Sequence, residues 1–151
     1  MKINLFLDCE FNGFNGELIS MALVSEHGDE FYEVLELPEH IEIDPWVKQN
    51  VMPILNKKPV DGFVFQRKLQ QFLYELTNVY GIDVEIHIIA DWSDDIKYFC
   101  QSLITGAGMM MSIPSTLTME IDRSLSNDKS EILHNALADA RAIMQSWKDN
   151  S

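Results

Sequence analysis

The sequence predicts an α/β domain in which one mixed sheet carries helices on its faces. Three observations lead there. Short β-type runs separated by polar turns fill the first third of the chain, later segments repeat apolar residues at helical spacing, and the order reads β-β-β-α-β-α-(β)-α with no repeat, low-complexity tract or linker. At 151 residues the chain has the size of a single domain, so residues 1–151 are expected to share one core.

"INLFLD", "ELISMALV" and "EFYEVL" are the first three strands, the last two joined by the turn "SEHGDE", and together they suggest an antiparallel meander. In "DPWVKQNV", Asp44 is placed as an N-cap and Pro45 at the first helical position, which gives a short helix ending near Pro53. From Phe65 to Tyr80, apolar residues at Phe65, Leu69, Phe72, Leu73 and Leu76 mark an amphipathic helix that Gly81 stops. "VEIHIIAD" is a buried strand, and "SDDIKYFCQSLI" is a helix capped by Ser93. Residues 106–130 are rich in loop signals, with one further strand around "LTMEI", and "HNALADARAIMQSW" is the closing helix.

Composition narrows the class. Hydrophobic residues at 46% and charged residues at 23% are those of a soluble globular protein, and no apolar run approaches the roughly 20 residues of a membrane span, so no membrane partner is expected. The N-terminus carries no signal-peptide pattern, which makes the cytoplasm the expected compartment. Cys9 and Cys100 lack metal-ligand spacing and are expected to be free thiols. A net charge of −13, spread evenly, would repel a polyanion. That objection weakens if several carboxylates gather at a site filled by divalent cations.

The first strand holds such carboxylates. In "LFLDCEFNG", Asp8 and Glu10 are two residues apart, and on a strand side chains at i and i+2 share a face. Neighbouring carboxylates near a strand end repel one another unless a cation holds them or one keeps its proton. Hard oxygen ligands at this spacing suit Mg²⁺ or Mn²⁺. The bland alternative is that one of the pair turns to solvent.

Helical phasing finds two more. With Phe99 at 0°, Ile96 falls at about 60°, Leu103 at about 40°, Asp95 at about −40° and Asp94 at about −140°. Asp95 therefore lies on the apolar face, whereas Asp94 points outward and complements the helix dipole. Asp91, at the end of the preceding strand, is a weaker candidate for the same role. In the last helix Ala136, Ala140, Ile143 and Trp147 form the core stripe, and Asp139 sits about 60° from Ala136 at its edge. His134 would face about 140° away from Asp139 on a continuous helix, which places it on the preceding loop or first turn, able to swing over the site. His27, His40 and His87 read as capping or surface residues.

The motifs "LDCEF", "SDDIKYF" and "HNALADA", in this order, resemble the DEDD-type 3'-5' exonucleases of the RNase H-like superfamily, in the branch with a histidine in the third motif (DEDDh, or DnaQ-like). The middle motif has Asp94 where that family often has an apolar residue, so Asp94 and Asp91 stay open beside Asp95. "ELIS", "WVKQNVMPIL" and Asp95 followed by "CQ" are similar to the compact exoribonuclease subfamily known from mycobacteria.

The resemblance implies an RNase H-like five-stranded mixed sheet and a site for two divalent ions, Mg²⁺ or Mn²⁺. One ion would activate the attacking water and the other would stabilise the leaving 3' oxygen. It implies that Asp8 bridges both ions, that Glu10 and Asp139 complete the nucleophile side, and that Asp95 serves the leaving-group side. His134 would take the proton from water, a role suited to an imidazole. The expected substrates are the 3' ends of single-stranded RNA or DNA, with RNA resting on the subfamily likeness. Phe11, Phe14 and Trp92 are candidates to stack on terminal bases, with Asn12 beside them as a further contact; the alternative for the aromatics is the core. A homodimer lending basic residues from a second subunit is a further open expectation. Two rival functions are an acidic interaction protein that mimics nucleic acid, which would spread its carboxylates over an exposed face, and a catalytically inactive RNase H-like binding module.

Overall fold

The computed structural model describes residues 1–151 apart from Ser115. Its elements are β1 (Lys2–Phe11), β2 (Leu18–Ser25), β3 (Glu30–Val34), α1 (Pro45–Asn50), α2 (Gly62–Tyr80), β4 (Glu85–Ala90), α3 (Ser93–Leu103), β5 (Ile104–Gly106), β6 (Met109–Met110), β7 (Leu117–Ile121) and α4 (Ala136–Asp149). The main sheet is five-stranded and mixed, in the order β3-β2-β1-β4-β7. β1, β2 and β3 form the antiparallel meander, while β4 runs parallel to β1 and β7 parallel to β4. This is the α/β mixed sheet the sequence leads one to expect, and it is consistent with an RNase H-like fold.

β1 is central, which explains its nearly unbroken apolar run: a strand covered on both faces has no solvent side to make polar. Ile3, Leu5, Leu7 and Cys9 face a core shared with Phe65, Leu69, Leu73 and Leu76 of α2 and with Tyr98, Phe99 and Leu103 of α3. Phe6, on the other face, packs with Ile143 and Trp147 of α4. Ala136 and Ala140 lie against Ala22 and Val24 of β2, small side chains that let α4 approach the sheet closely. Helices thus cover both faces. Truncating a fully buried residue such as Leu73 to Ala should cost about 2–5 kcal/mol.

Several boundaries differ from the sequence expectation for local reasons. α2 begins at Gly62 rather than Phe65, because the Asp61 carboxylate caps it by accepting from Val64 N at 2.8 Å. α1 ends at Asn50 and the chain closes a separate 3₁₀ turn over Met52–Ile54, since Pro53 has no N–H with which to continue the helix. Ser93 does not cap α3; the N-cap is Trp92, which is extended, makes no side-chain capping bond and leaves Ser93 as the first helical residue. The short hairpin β5–β6 was not expected, its strands being too short to display a period. His87 is buried rather than on the surface, with its ring nitrogens 2.6 Å from Thr118 Oγ1 and 2.7 Å from Glu120 Oε2 of the neighbouring strand. Cys9 and Cys100 are free thiols. Among the described residues, no helix is long and apolar enough to cross a membrane.

Candidate functional site

Because β1 and β4 are parallel neighbours, their C-terminal ends reach the same edge of the sheet, where side chains from several elements can converge. α3 starts three residues after β4, so its first turn is delivered to that edge. Asp8 and Glu10 lie on the α4 face of β1, paired with Ala22 and Ser20 of β2, two small residues that leave room above the carboxylates.

α4 is brought to the same place by Asn135. Its side chain caps the helix, accepting from Ala138 N at 3.1 Å, while its amide donates to Ile54 O at 2.9 Å. The preceding residue, His134, has φ 75°, a left-handed conformation that costs a non-glycine residue on the order of 1 kcal/mol or more. The turn is held by His134 N donating to Asp139 Oδ2 at 3.0 Å. This places the His134 ring off the helix and over the sheet edge, as the phasing against Asp139 requires. Trp46 packs edge-on against that ring at a centroid distance of 4.8 Å.

Two groups of ligand atoms result. Glu10, His134 and Asp139 each offer an atom within 4.8 Å of the others, and so do Asp8, Asp91 and Asp95. Of the three aspartates around the start of α3, Asp91 and Asp95 reach the group with Asp8 and Asp94 does not. Asp95 is buried and reaches the site, accepting from Cys9 N at 3.0 Å, whereas Asp94 is turned away with its carboxylate 3.3 Å from Trp92 Nε1. Asp91 joins Asp95 rather than replacing it.

Burial raises all five carboxylates, and at Asp8, Glu10 and Asp95 the crowding of charge adds to it. Burial, and then the charges of Asp95, Glu10, Asp139 and Asp91, push the Asp8 carboxyl well above the usual range. Glu10 is raised to about 8 by burial and by the charges of Asp139 and Asp95. Asp95 is also raised to about 8, chiefly by burial, with the Cys9 N–H working against the shift. Burial raises Asp139 too, opposed by its polar neighbours, including the His134 N–H, and burial raises Asp91 against the charge of Arg123. Left to itself, the centre must hold protons near neutrality; cations would relieve the same repulsion.

The donor set fits divalent cations. Asp8 Oδ2 and Asp139 Oδ1 are buried with no hydrogen-bond partner, a costly state for a carboxylate oxygen unless something else satisfies it. Four of the five carboxylates come from motif positions, and hard oxygen donors of this kind suit Mg²⁺ or Mn²⁺.

The expected substrate contacts divide. Phe11 is half-buried, stacked on Tyr98 at 4.7 Å, and packs against the main core. Asn12 ties the loop after β1 to the segment before α1, its amide donating to Glu17 Oε1 and Glu42 O and its oxygen accepting from Asp44 N. Phe14 is 94% exposed and Trp92 50% exposed, so both are free to meet a ligand. Gly16 shapes the loop that carries Phe14: a Cβ there would stand 1.8 Å from Asn12 O. Two cations lie at the margin, Arg123 over the Trp92 ring and Lys97 over the Tyr98 ring, each at 4.4 Å. Trp46 was not singled out from the sequence; an exposed tryptophan in a capped first turn was the available signal.

No protein-family model and no curated protein matches the chain.

Proposed function

We propose that this protein is a divalent-cation-dependent 3'-5' exonuclease that removes nucleoside monophosphates from the 3' end of single-stranded nucleic acid, with RNA the favoured substrate. The observation that carries the reading is the convergence of Asp8, Glu10, Asp95, His134 and Asp139 from β1, α3 and the start of α4 on one sheet edge, with two buried carboxylate oxygens lacking any partner. A protein that mimics nucleic acid would display its carboxylates; here Asp8, Asp95 and Asp139 are buried. An inactive binding module has no use for five perturbed carboxylates and a histidine held in a strained turn.

Asp8, Glu10 and Asp139 would hold one cation and Asp8 and Asp95 a second. When bound, these ions would supply the charge that stabilises the attacking and leaving oxygens. In the reaction, water attacks the terminal phosphodiester phosphorus and the bond to the penultimate 3' oxygen breaks. A nucleoside 5'-monophosphate and a new 3' hydroxyl result. His134 accepts the proton of the attacking water, its ring placed by the turn that Asp139 closes and braced by Trp46. Solvent returns a proton to the leaving 3' oxygen. Cys9 N fixes the Asp95 carboxylate, so that the leaving side is built before substrate arrives. Phe14 and Trp92 offer exposed aromatic faces for the terminal bases, and Lys97 and Arg123 are placed to meet phosphates.

The test is incubation of 5'-labelled single-stranded RNA and DNA with the protein in Mg²⁺, Mn²⁺ or EDTA. A ladder shortening one nucleotide at a time, and suppressed by EDTA, is expected. Intact substrate with either cation would overturn the proposal.

A further inference from the structure

The family resemblance gives the leaving-group side of the centre two aspartates, Asp8 and Asp95. The geometry points to a third: Asp91 completes a three-carboxylate pocket that binds a divalent cation in the absence of nucleic acid. This rests on the functional reading above and extends it, because it makes cation loading on that side independent of substrate.

Three observations place Asp91 there. It follows the last residue of β4, on the strand beside β1, and its ligand oxygen lies within 4.8 Å of those of Asp8 and Asp95. Its backbone is tied down next to the site: Arg123 Nη1 donates to Asp91 O at 2.5 Å, and Asp122 N donates to Ala90 O at 2.8 Å. The pocket also holds an unsatisfied group, since Asp8 is only 6% exposed and its Oδ2 has no hydrogen-bond partner. The Asp95 carboxylate spends Oδ1 on Cys9 N and accepts no other hydrogen bond among the described residues, so its second oxygen is available.

Three monodentate carboxylates from a strand end, a central strand and a helix start would supply half of a six-oxygen shell, leaving Mg²⁺ or Mn²⁺ to keep waters on its open side. A site with only Asp8 and Asp95 would need substrate oxygens to reach useful affinity. A third carboxylate removes that need. The carboxylates of the second group, Glu10 and Asp139, should load separately, with His134 beside them as the base.

The experiment is Mn²⁺ titration of the metal-free 151-residue chain without nucleic acid, reading free Mn²⁺ by electron paramagnetic resonance. Wild type, Asp91→Asn, Asp94→Asn and Asp139→Asn are compared. Wild type and Asp94→Asn should bind two ions; Asp91→Asn should weaken one of them at least about tenfold, since even indirect partners of a metal cost that much when lost. Asp139→Asn should weaken the other. Melting of Asp91→Asn in EDTA at or above the wild-type midpoint shows that the variant is folded. Wild-type titration by a folded Asp91→Asn, with loss in Asp139→Asn, would overturn the assignment of Asp91 and leave the nuclease reading standing. Absence of Mn²⁺ binding by wild type without nucleic acid would overturn the substrate-independent pocket, while hydrolysis of labelled strands with Mg²⁺ or Mn²⁺ decides the nuclease reading separately.

Discussion

Raising the pH of the metal-free protein should destabilise it, the reverse of what ordinary surface carboxylates do. Glu10 moves from 4.5 to about 8 on folding and Asp95 from 3.8 to about 8. Between roughly pH 4 and 8 the folded state therefore holds protons that the unfolded chain has released. Stability then falls as pH rises through that window and levels off above it. One pKa unit corresponds to about 1.4 kcal/mol, and because the two groups share one repulsion their effects do not add fully. A total on the order of a few kcal/mol is expected, which for a chain of this size lowers the melting midpoint by roughly 10 °C. Asp8 is itself pushed well above the usual carboxylate range, chiefly by burial, so Asp8→Asn removes a third group that behaves this way and should raise the midpoint at pH 8 and flatten the profile. Excess Mg²⁺ should reverse the trend, since it binds the deprotonated ligands and its stabilisation grows with pH. Circular-dichroism melts in EDTA and in Mg²⁺ from pH 5 to 8, on wild type and Asp8→Asn, measure all of this. A midpoint in EDTA that is flat or rising, or an Asp8→Asn protein as pH-sensitive as wild type, would refute the reasoning.

Asp8→Ala and Asp139→Ala should each abolish hydrolysis of labelled RNA while melting cooperatively, because relief of carboxylate repulsion offsets what is lost, in Asp139→Ala the bond from His134 N; activity persisting in Asp8→Ala would sink the shared-ligand role. Asp95→Asn should be far more damaging to the rate than Asp94→Asn, since only Asp95 is buried against Cys9 N. His134→Ala should lower the maximal rate by about 10²–10⁴-fold and leave Mn²⁺ affinity nearly intact, with the acidic limb of the pH–rate profile lost. Normal single-turnover rates in that variant at saturating Mg²⁺ would instead make His134 an aid to assembly and remove it as the base.

The parts of the site governed by simple periodicity were legible in the sequence. Asp8 and Glu10 share a face because they are two apart on a strand, Asp95 faces inward by its 100° phasing, and Asp139 excludes His134 from its own helix by the same arithmetic. The rest depends on chain placement between elements, which leaves Asp91 only a weaker candidate in the sequence and Trp46 none. Asp91 is one residue beyond β4, and only the parallel pairing of β4 with β1 sets it beside Asp8. Trp46 reaches His134 because Asn135 binds the turn after α1, a contact 81 residues distant in sequence. Phe11 packs on the core side, the alternative left open for the aromatics, and the loop takes up the hydrogen bonds of Asn12. Ser93 had the right identity for a cap but lies one residue too late.

The central claim is cation-dependent removal of nucleotides from a 3' end, and labelling the same single-stranded RNA at either terminus tests it most directly. With Mg²⁺ or Mn²⁺, the 3'-labelled strand should release labelled nucleoside monophosphate at the earliest times while the 5'-labelled strand gives a descending ladder, and EDTA or Asp8→Ala should leave both intact. Early internal fragments, release from the 5' end first, or no hydrolysis with either cation would contradict the account.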